Sequence, residues 1–260
     1  MKNLIFSLLI TFLLSSDPAA AKGPSFNLLK ATPTGSWQLR EEIVTNHKGK
    51  RTGSSIRSSM LGSEMRDGEK YYWIEMAINS FKIKKNGKRK KTGDRAIVKS
   101  LIPAATLEGD PANVMSNLRG FGTEIIVQNG KEDPMRMSDS GGMLAGIMQV
   151  TQAEIVFDFE DQGKESVSVP GGDFKANKTH GVGSVEMKVI FKKIRVESDT
   201  TMWLSSKVPF GTVKTEGTSS LNGKVSTISS EVIEYGASGA ASEITKEPKD
   251  MPKMPDIFGG

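Results

Sequence analysis

The sequence contains no cysteine and only two histidines among its 260 residues. Without cysteine the chain has no disulfide framework, thiol nucleophile, iron–sulfur cluster or thiolate zinc site. Two histidines also exclude a metal site built from three of them. Much of the usual enzyme repertoire is therefore absent, and no cofactor is expected. A hydrophobic content of 37% with 25% charged residues is typical of a soluble globular chain, and the formal net charge is +5.

The N-terminus has the pattern of a secretory signal. Lys2 precedes an apolar run over residues 4–14, which is shorter than the roughly 20 residues needed to span a bilayer. A polar break follows, and Ala19-Ala20-Ala21 then supplies the small residues of a cleavage site. We predict a signal peptide over 1–21, a mature start near Lys22 and a periplasmic location. The alternative is a membrane anchor, against which the early polar break argues.

Most of the remaining sequence alternates between apolar and polar residues, which is typical of strands that bury one face. Asp67-Gly68 and Asn86-Gly87 suit tight hairpin turns, and Pro103 ends a strand because it cannot donate a ladder hydrogen bond. Because no helices of crossover length separate the strands, an antiparallel sheet is favoured. About ten strands are predicted, over 37–44, 54–61, 71–83, 96–102, 154–159, 172–178, 184–197, 200–205, 211–216 and 224–235.

Two helices and a tail complete the predicted organisation. Asp110-Pro111 can begin a short helix that ends at Leu118, and a second helix is predicted over 138–152. From Gly236 the chain is rich in Gly, Ala and Ser and then in Lys, Pro and Met, which predicts a mobile tail over 236–260. A single β domain over 22–235 follows.

Ser138-Asp139-Ser140-Gly141-Gly142 resembles the Gly-Asp-Ser-Gly-Gly motif of chymotrypsin-like proteases, in which the serine is the nucleophile. The first position differs, and His47 lies in an Asn-His-Lys-Gly turn without the sequence context of a catalytic base. The favoured interpretation is a helix start, capped by Ser138 or Asp139.

The most basic stretch of the sequence surrounds Asn86-Gly87 and should project as a charged hairpin tip. No aromatic residue interleaves with these cations, which argues against nucleic-acid binding. Two interpretations remain, a solvated tip that protects an edge strand and a contact with an anionic membrane surface. The residues expected to meet such a surface are Lys88, Arg89, Lys90 and Lys91.

Met143, Leu144, Ile147 and Met148 recur at helical spacing on one face of the second predicted helix. Three interpretations are open. The side chains can be the core of a helix that lies across the sheet, they can line a groove for an apolar ligand, or the thioethers, with Met135 and Met137, can bind cuprous ion.

Residues 172–178 (Gly-Asp-Phe-Lys-Ala-Asn-Lys) and 203–214 (Trp-Leu-Ser-Ser-Lys-Val-Pro-Phe-Gly-Thr-Val-Lys) resemble the C-terminal half of exported bacterial proteins related to the LolA/LolB lipoprotein carriers. Residues 72–75 and 98–102 are similar to earlier strands of that group. The resemblance implies a mainly β (α+β) fold, in which a strongly curved antiparallel sheet forms an incomplete barrel and one or two short helices plug its concave face. In the carriers that cavity holds acyl chains. The matched positions are strand and turn residues, so they carry over the fold and no contact residue.

The sequence thus favours an exported, non-enzymatic, monomeric protein that binds a lipid or another apolar ligand in a half-barrel cavity. An envelope structural or interaction protein with a self-filled core is the alternative, and a hydrolase is the third hypothesis. The predicted ligand contacts are Met143, Leu144, Ile147 and Met148 on the helix, with Trp73, Phe157 and Trp203 on the sheet.

Overall fold

A computed structural model describes residues 32–107, 123–138, 154–189 and 192–251. These residues form thirteen strands and one four-residue helix, α1 (Ala104–Leu107). The strands are β1 (Trp37–Thr45), β2 (Arg51–Arg66), β3 (Glu69–Ile83), β4 (Arg89–Lys91), β5 (Ala96–Pro103), β6 (Glu124–Asn129), β7 (Met135–Ser138), β8 (Glu154–Val169), β9 (Gly172–Val189), β10 (Lys192–Leu204), β11 (Thr212–Leu221), β12 (Lys224–Gly236) and β13 (Lys249–Asp250).

All thirteen strands belong to one sheet. Its order is β13-β7-β6-β5-β3-β2-β1-β12-β11-β10-β9-β8, and β4 pairs with β3 beside this path. Every pairing is antiparallel except that of β13 with β7. β1 pairs with β2 on one side and with β12 on the other, so it joins the two halves of the chain. Because β13 and β8 lie at opposite edges, the sheet is open, as the sequence predicts.

The sheet curls strongly at one end. The amide of Gly171, just before β9, donates a hydrogen bond of 2.9 Å to the carbonyl oxygen of Val232 on β12. In a flat sheet three strand spacings, about 14 Å, would separate β9 from β12. The phenyl ring of Phe174 also lies with its centroid 6.0 Å from that of Tyr235 on β12. The sheet is therefore curved at this end.

Three apolar clusters stabilise the sheet. The first joins β9 to β12 around Phe174, Trp203 and Val232. The second packs Leu107 of α1 and Phe210 of the β10–β11 loop against Met60, Ile74 and Ile102. The third lies on β8, β9 and β10 and contains Phe159, Val185 and Val196 as its buried members.

Aromatic rings occupy the place of missing side chains at three directly paired glycines. Phe81 is opposite Gly53, Phe159 is opposite Gly181 and Trp37 is opposite Gly236. A Cβ atom added to any of the three glycines would lie within 2.7 Å of the paired ring. Glycine is thus required at these strand positions because the partner's ring covers the backbone.

Two expectations about helices and the tail need correction. The helix predicted over 110–118 and residues 139–152 of the second one lie outside the described residues, and Ser138, where the second was expected to begin, is the last residue of β7. α1 is the one helix within the described residues, so helices that plug a concave face are not supported. Residues 236–251 are not a mobile tail: Ser242 and Glu243 hydrogen bond to Glu75, and β13 pairs with β7. No helix within the described ranges is long and apolar enough to cross a membrane.

Candidate functional site

Two hairpin turns of the same design lie next to each other at one end of the sheet. In the β1–β2 turn, the Asn46 amide donates to the carbonyl of Lys50 and the Gly49 amide donates to that of Asn46. In the β3–β4 turn, Lys84, Lys88 and Gly87 repeat this pattern with nearly equal distances. Gly49 and Gly87 both have positive φ, 72° and 78°, which glycine adopts without strain.

β2 and β3 bring the two turns side by side, since Arg51 at the start of β2 is paired with Ile83 near the end of β3. We call residues 46–51 and 82–91 the basic hairpin surface. It contains ten cations and no acid, and every one of the ten is exposed. They are Lys48, Lys50, Arg51, Lys82, Lys84, Lys85, Lys88, Arg89, Lys90 and Lys91.

This surface carries more charge than the whole chain. The other 25 cations of the sequence face 30 acids, so the chain outside the surface has a formal charge of −5. The positive net charge of the chain is therefore due to this surface alone. Such a concentration of cations produces a positive field that attracts an anionic partner to this end of the sheet.

One cation of the surface is already neutralised. Arg89 forms a two-pronged ion pair with Glu41 of β1, in which Nη2 lies 2.6 Å from Oε1, and its guanidinium lies 4.8 Å from the centroid of the Phe81 ring. Arg89 was predicted to meet an anionic surface together with Lys88, Lys90 and Lys91, and it differs from them in having this partner. None of the other nine cations forms an ion pair with a described residue.

Lys82 and Lys90 stand directly opposite each other on β3 and β4. Like charges at directly opposed positions destabilise a sheet, because their side chains emerge on the same face only about 5 Å apart. The repulsion would be relieved by an anion that both ammonium groups contact. The pair is thus a local reason for this surface to attract negative charge.

The structure places Trp73, a predicted ligand contact, within a polar cluster. Its indole Nε1 donates a hydrogen bond of 2.9 Å to Oε2 of Glu64, and the ammonium of Lys99 lies 4.7 Å from the ring centroid. The bond from Trp73, with help from Arg66, holds the pKa of the Glu64 carboxyl below its usual range. The indole edge and one ring face are thus in contact with charged groups.

Trp203 has the same kind of environment at the far end of the sheet. It is buried in the first apolar cluster, and its Nε1 donates to Oε2 of Glu165 at 3.2 Å. The ammonium groups of Lys178 and Lys214 lie 5.6 and 5.2 Å from the ring centroid. The pKa of Glu165 is lowered, first by the hydrogen bond from Lys178 and then by that from Trp203. Contact of either tryptophan with an apolar ligand stays a prediction.

The structure does not describe the side chains of the remaining predicted ligand contacts. Met143, Leu144, Ile147 and Met148 fall within residues 139–153, outside the described ranges, as does Ser140 of the protease-like motif. Phe157 lies on β8, but its side chain is not described. Contact of these residues with an apolar ligand therefore stays a prediction.

Neither histidine lies in a catalytic arrangement within the described residues. His47 is exposed in the β1–β2 turn, and Nε2 of His180 lies 2.8 Å from Oδ1 of Asp199 on an accessible part of β9 and β10. The described ranges also contain no cluster of three or more His, Asp or Glu side chains that could hold a metal ion.

Comparison with known proteins leaves the family open. No protein-family model matches the chain, and no curated protein matches it. One solved structure, a candidate lipoprotein from Parabacteroides distasonis, is 14% identical with a TM-score of 0.39, over 79% of this chain and 96% of its own. Another, a candidate exported protein with a YmcC-like fold from Bacteroides fragilis, is 12% identical with a TM-score of 0.37, over 79% and 97%. TM-scores this low do not establish a shared fold, so the resemblance to LolA/LolB carriers is not confirmed.

Proposed function

We propose that this is an exported, non-enzymatic lipid-binding protein that contacts anionic lipid head groups through the basic hairpin surface. The observation that carries the proposal is the meeting of ten exposed cations, without an acid, on two adjacent turns. Each Lys or Arg close to an anionic bilayer contributes about 1 kcal/mol, and the attraction decays within about 8 Å at physiological salt. Several cations on one end can reach a flat surface together, which a scattered distribution cannot do.

The high lysine content of the surface favours lipid head groups over a single small anionic ligand. Lysine ammonium groups are compact charges on flexible stems, whereas selective binding of one phosphate or carboxylate usually employs the planar fork of arginine. Of the ten cations, eight are lysines, and one of the two arginines is occupied by Glu41. This composition suits a fluid array of head groups.

Export is proposed from residues 1–21, whose short apolar run and alanine-rich end have the pattern of a cleavable signal. Such a protein would meet lipid in the cell envelope. N-terminal sequencing of the protein from the envelope fraction should return Lys22 or a residue close to it, and recovery of Met1 from that fraction would remove the proposal of a cleaved signal.

A cavity for an apolar ligand is the second part of the proposal, and its lining would have to include Met143, Leu144, Ile147 and Met148. The described core favours the alternative at one end of the sheet, where Phe210 and Leu107 pack onto the sheet's own apolar residues. Native mass spectrometry of the protein isolated from its envelope distinguishes the two. A co-purifying lipid supports the cavity, and a bare mass supports the self-filled core.

The basic hairpin surface is tested by sedimentation with vesicles that contain phosphatidylglycerol at 50 mM salt. The test variant changes four exposed surface lysines to glutamine, and a control variant changes four exposed lysines elsewhere, so that both lose the same charge. The test positions are Lys84, Lys85, Lys88 and Lys90. The control positions are Lys70, Lys164, Lys175 and Lys207.

We expect the test variant to bind at least tenfold more weakly and with a shallower dependence on salt, because fewer ammonium groups approach the bilayer. The control variant should bind nearly as the parent does. Equal losses in the two variants would show that only net charge matters and would contradict a specific surface. No binding by the parent at low salt would also contradict it.

A further inference from the structure

Two carboxylates face each other on the sheet beside the basic hairpin surface. Glu41 on β1 is directly paired with Glu231 on β12, so their side chains emerge on the same face. Like charges at directly opposed positions destabilise a sheet. The ammonium of Lys214 lies 3.7 Å from Oε1 of Glu231 and offsets one of the two charges. A cation that reaches Glu41 from the other side offsets the second.

Arg89 supplies that cation from three strands away. It lies on β4, which pairs with β3, and β2 separates β3 from β1. In a flat sheet three strand spacings, about 14 Å, would separate β4 from β1. Arg89 is paired with Ile83, which is paired with Arg51. Arg51 is paired in turn with Thr45, four residues beyond Glu41. The ion pair of Arg89 with Glu41 thus requires the β3–β4 hairpin to bend toward β1.

The face of β2 leaves room for this bend. Gly53 has no side chain, and the ring of its partner Phe81 lies over it. The guanidinium of Arg89 lies 4.8 Å from the centroid of this ring. Because a cation is attracted to the face of an aromatic ring, Phe81 supports the arginine side chain on its way to β1.

The contact between Arg89 and Glu41 has the geometry of an effective ion pair. Exposed pairs usually contribute little, because solvent screens them and two long side chains must be ordered. Here Nη1 contacts Oε2 and Nη2 contacts Oε1, a planar two-pronged arrangement that a lysine cannot form. Glu41 is also partly shielded, with 22% of its side chain exposed against 57% for Arg89.

We infer that Glu41, Arg89 and Phe81 form a latch that positions the β3–β4 turn beside the β1–β2 turn, so that the lysines of both turns meet a bilayer together. Within the described residues β4 pairs with β3 alone, over three residue pairs, so the ladder by itself leaves the direction of the hairpin weakly fixed. A surface that is ordered in advance avoids the cost of ordering it on binding. The inference rests on the proposed function, and Glu41 acts in it as a positioning residue.

The latch is tested first without lipid, on the full chain. Nitroxide labels at His47→Cys and Lys85→Cys, one in each turn, report the distance between the turns by pulsed electron paramagnetic resonance, since the sequence has no other cysteine. We expect a narrow distance distribution in the labelled parent and a clearly broader one after Glu41→Gln. Glu41→Asp keeps the carboxylate and should stay close to the parent. Equal widths in the parent and Glu41→Gln would overturn the latch.

Sedimentation of the unlabelled proteins with phosphatidylglycerol vesicles then tests whether the latch serves lipid contact. Glu41→Gln adds one positive charge and frees Arg89, so charge alone predicts tighter binding. We expect the opposite, about fivefold weaker binding, because a mobile hairpin has to be ordered on the bilayer. The matched control is Glu160→Gln, which makes the same change of charge at an exposed position on β8 and should bind at least as tightly as the parent.

Binding by Glu41→Gln that equals or exceeds that of Glu160→Gln would overturn the inference, because charge and not position would then decide. If Glu41→Gln does not fold, Arg89→Gln breaks the same pair from its more exposed side and should broaden the distance distribution equally. Absence of vesicle binding by the parent would contradict the proposed function, whereas the distance measurement still decides whether the latch exists. The two failures are therefore distinguishable.

Discussion

At the level of single residues, the sheet uses aromatic rings to cover backbone that has no side chain. Phe81 lies over Gly53, and a Cβ atom at Gly53 would be 2.6 Å from the ring and 2.8 Å from the carbonyl oxygen of Glu42. The ring could rotate away, but the backbone oxygen of a paired strand cannot. The position therefore demands glycine for steric reasons and not for its φ angle, which is negative.

Gly53→Ala should destabilise the protein by about 1–3 kcal/mol, the usual cost of forcing an extra group into a packed site. Gly62→Ala is the matched control because Gly62 lies on the same strand and an added Cβ has nothing within 4 Å. That variant should change stability by no more than about 0.5 kcal/mol. Urea midpoints of the two variants test this, and equal midpoints would contradict the role assigned to Phe81.

At the level of elements, residues 236–251 fasten one edge of the sheet. Glu75 is buried, with 2% of its surface exposed, and accepts hydrogen bonds from the hydroxyl of Ser242 and the amide of Glu243. Further on, Asp133 accepts hydrogen bonds from Lys246 and Lys249, and β13 then pairs with β7. The segment thus covers an edge that would otherwise be free to pair with another chain.

The attachment of this segment should depend on pH. Hydrogen bonds from Lys249 and Lys246 lower the pKa of Asp133 from 3.8 to about 2. A carboxyl whose pKa is lowered by folding stabilises the folded state above its unfolded pKa, and this contribution disappears as the pH falls through the folded one. We therefore expect the amides of Lys249 and Met251, which donate to Pro134 and Arg136, to lose protection between about pH 4 and pH 2.

Hydrogen exchange, corrected for the intrinsic rates, measures this loss. Asp133→Asn should leave both amides weakly protected at every pH in the window, whereas the neighbouring Glu132→Gln should behave as the parent does. Protection that is the same at pH 4 and pH 2 in the parent would show that Asp133 does not hold the segment.

Turn residues and the alternation of apolar and polar residues predicted most of the strands. The predictions failed where pairing between distant parts of the chain decides the structure. Asp67-Gly68, Asn86-Gly87 and Pro103 correctly mark the ends of strands. The strand predicted over 184–197 instead covers parts of both β9 and β10, because the sequence between these strands contains neither Gly nor Pro and its alternation does not stop there. The sequence also did not predict that residues 236–251 are attached to the sheet. These residues are small and polar, and contacts with the sheet, which their composition does not reveal, hold them in place.

Only one of the two turns of the basic hairpin surface could be predicted from the sequence. The basic run after Phe81 is evident in the sequence, but Lys48, Lys50 and Arg51 lie about thirty residues earlier and join it only through the register of β2 with β3. A hint existed in the shared ending of the two turns, Gly49-Lys50 and Gly87-Lys88.

At the level of the whole molecule, positive charge is concentrated at one end of the strands of the sheet. The β1–β2 and β3–β4 turns form the basic end, and the β2–β3 turn, in which Arg66 and Lys70 balance Asp67 and Glu69, lies at the opposite end of the same strands. A molecule of this kind should approach an anionic bilayer with one end only. We therefore expect a fixed orientation on the bilayer, and not affinity alone.

The most direct test of that orientation uses the absence of native cysteine to attach one label at a chosen end. His47→Cys places it in the β1–β2 turn, and Met65→Cys places it near the β2–β3 turn, where Met65 is 65% exposed. Each labelled protein is mixed with phosphatidylglycerol vesicles that contain brominated lipid, a short-range quencher. We expect strong quenching at position 47 and little at position 65, with both signals restored by high salt. Equal quenching at the two positions, or quenching at position 65 alone, would contradict it.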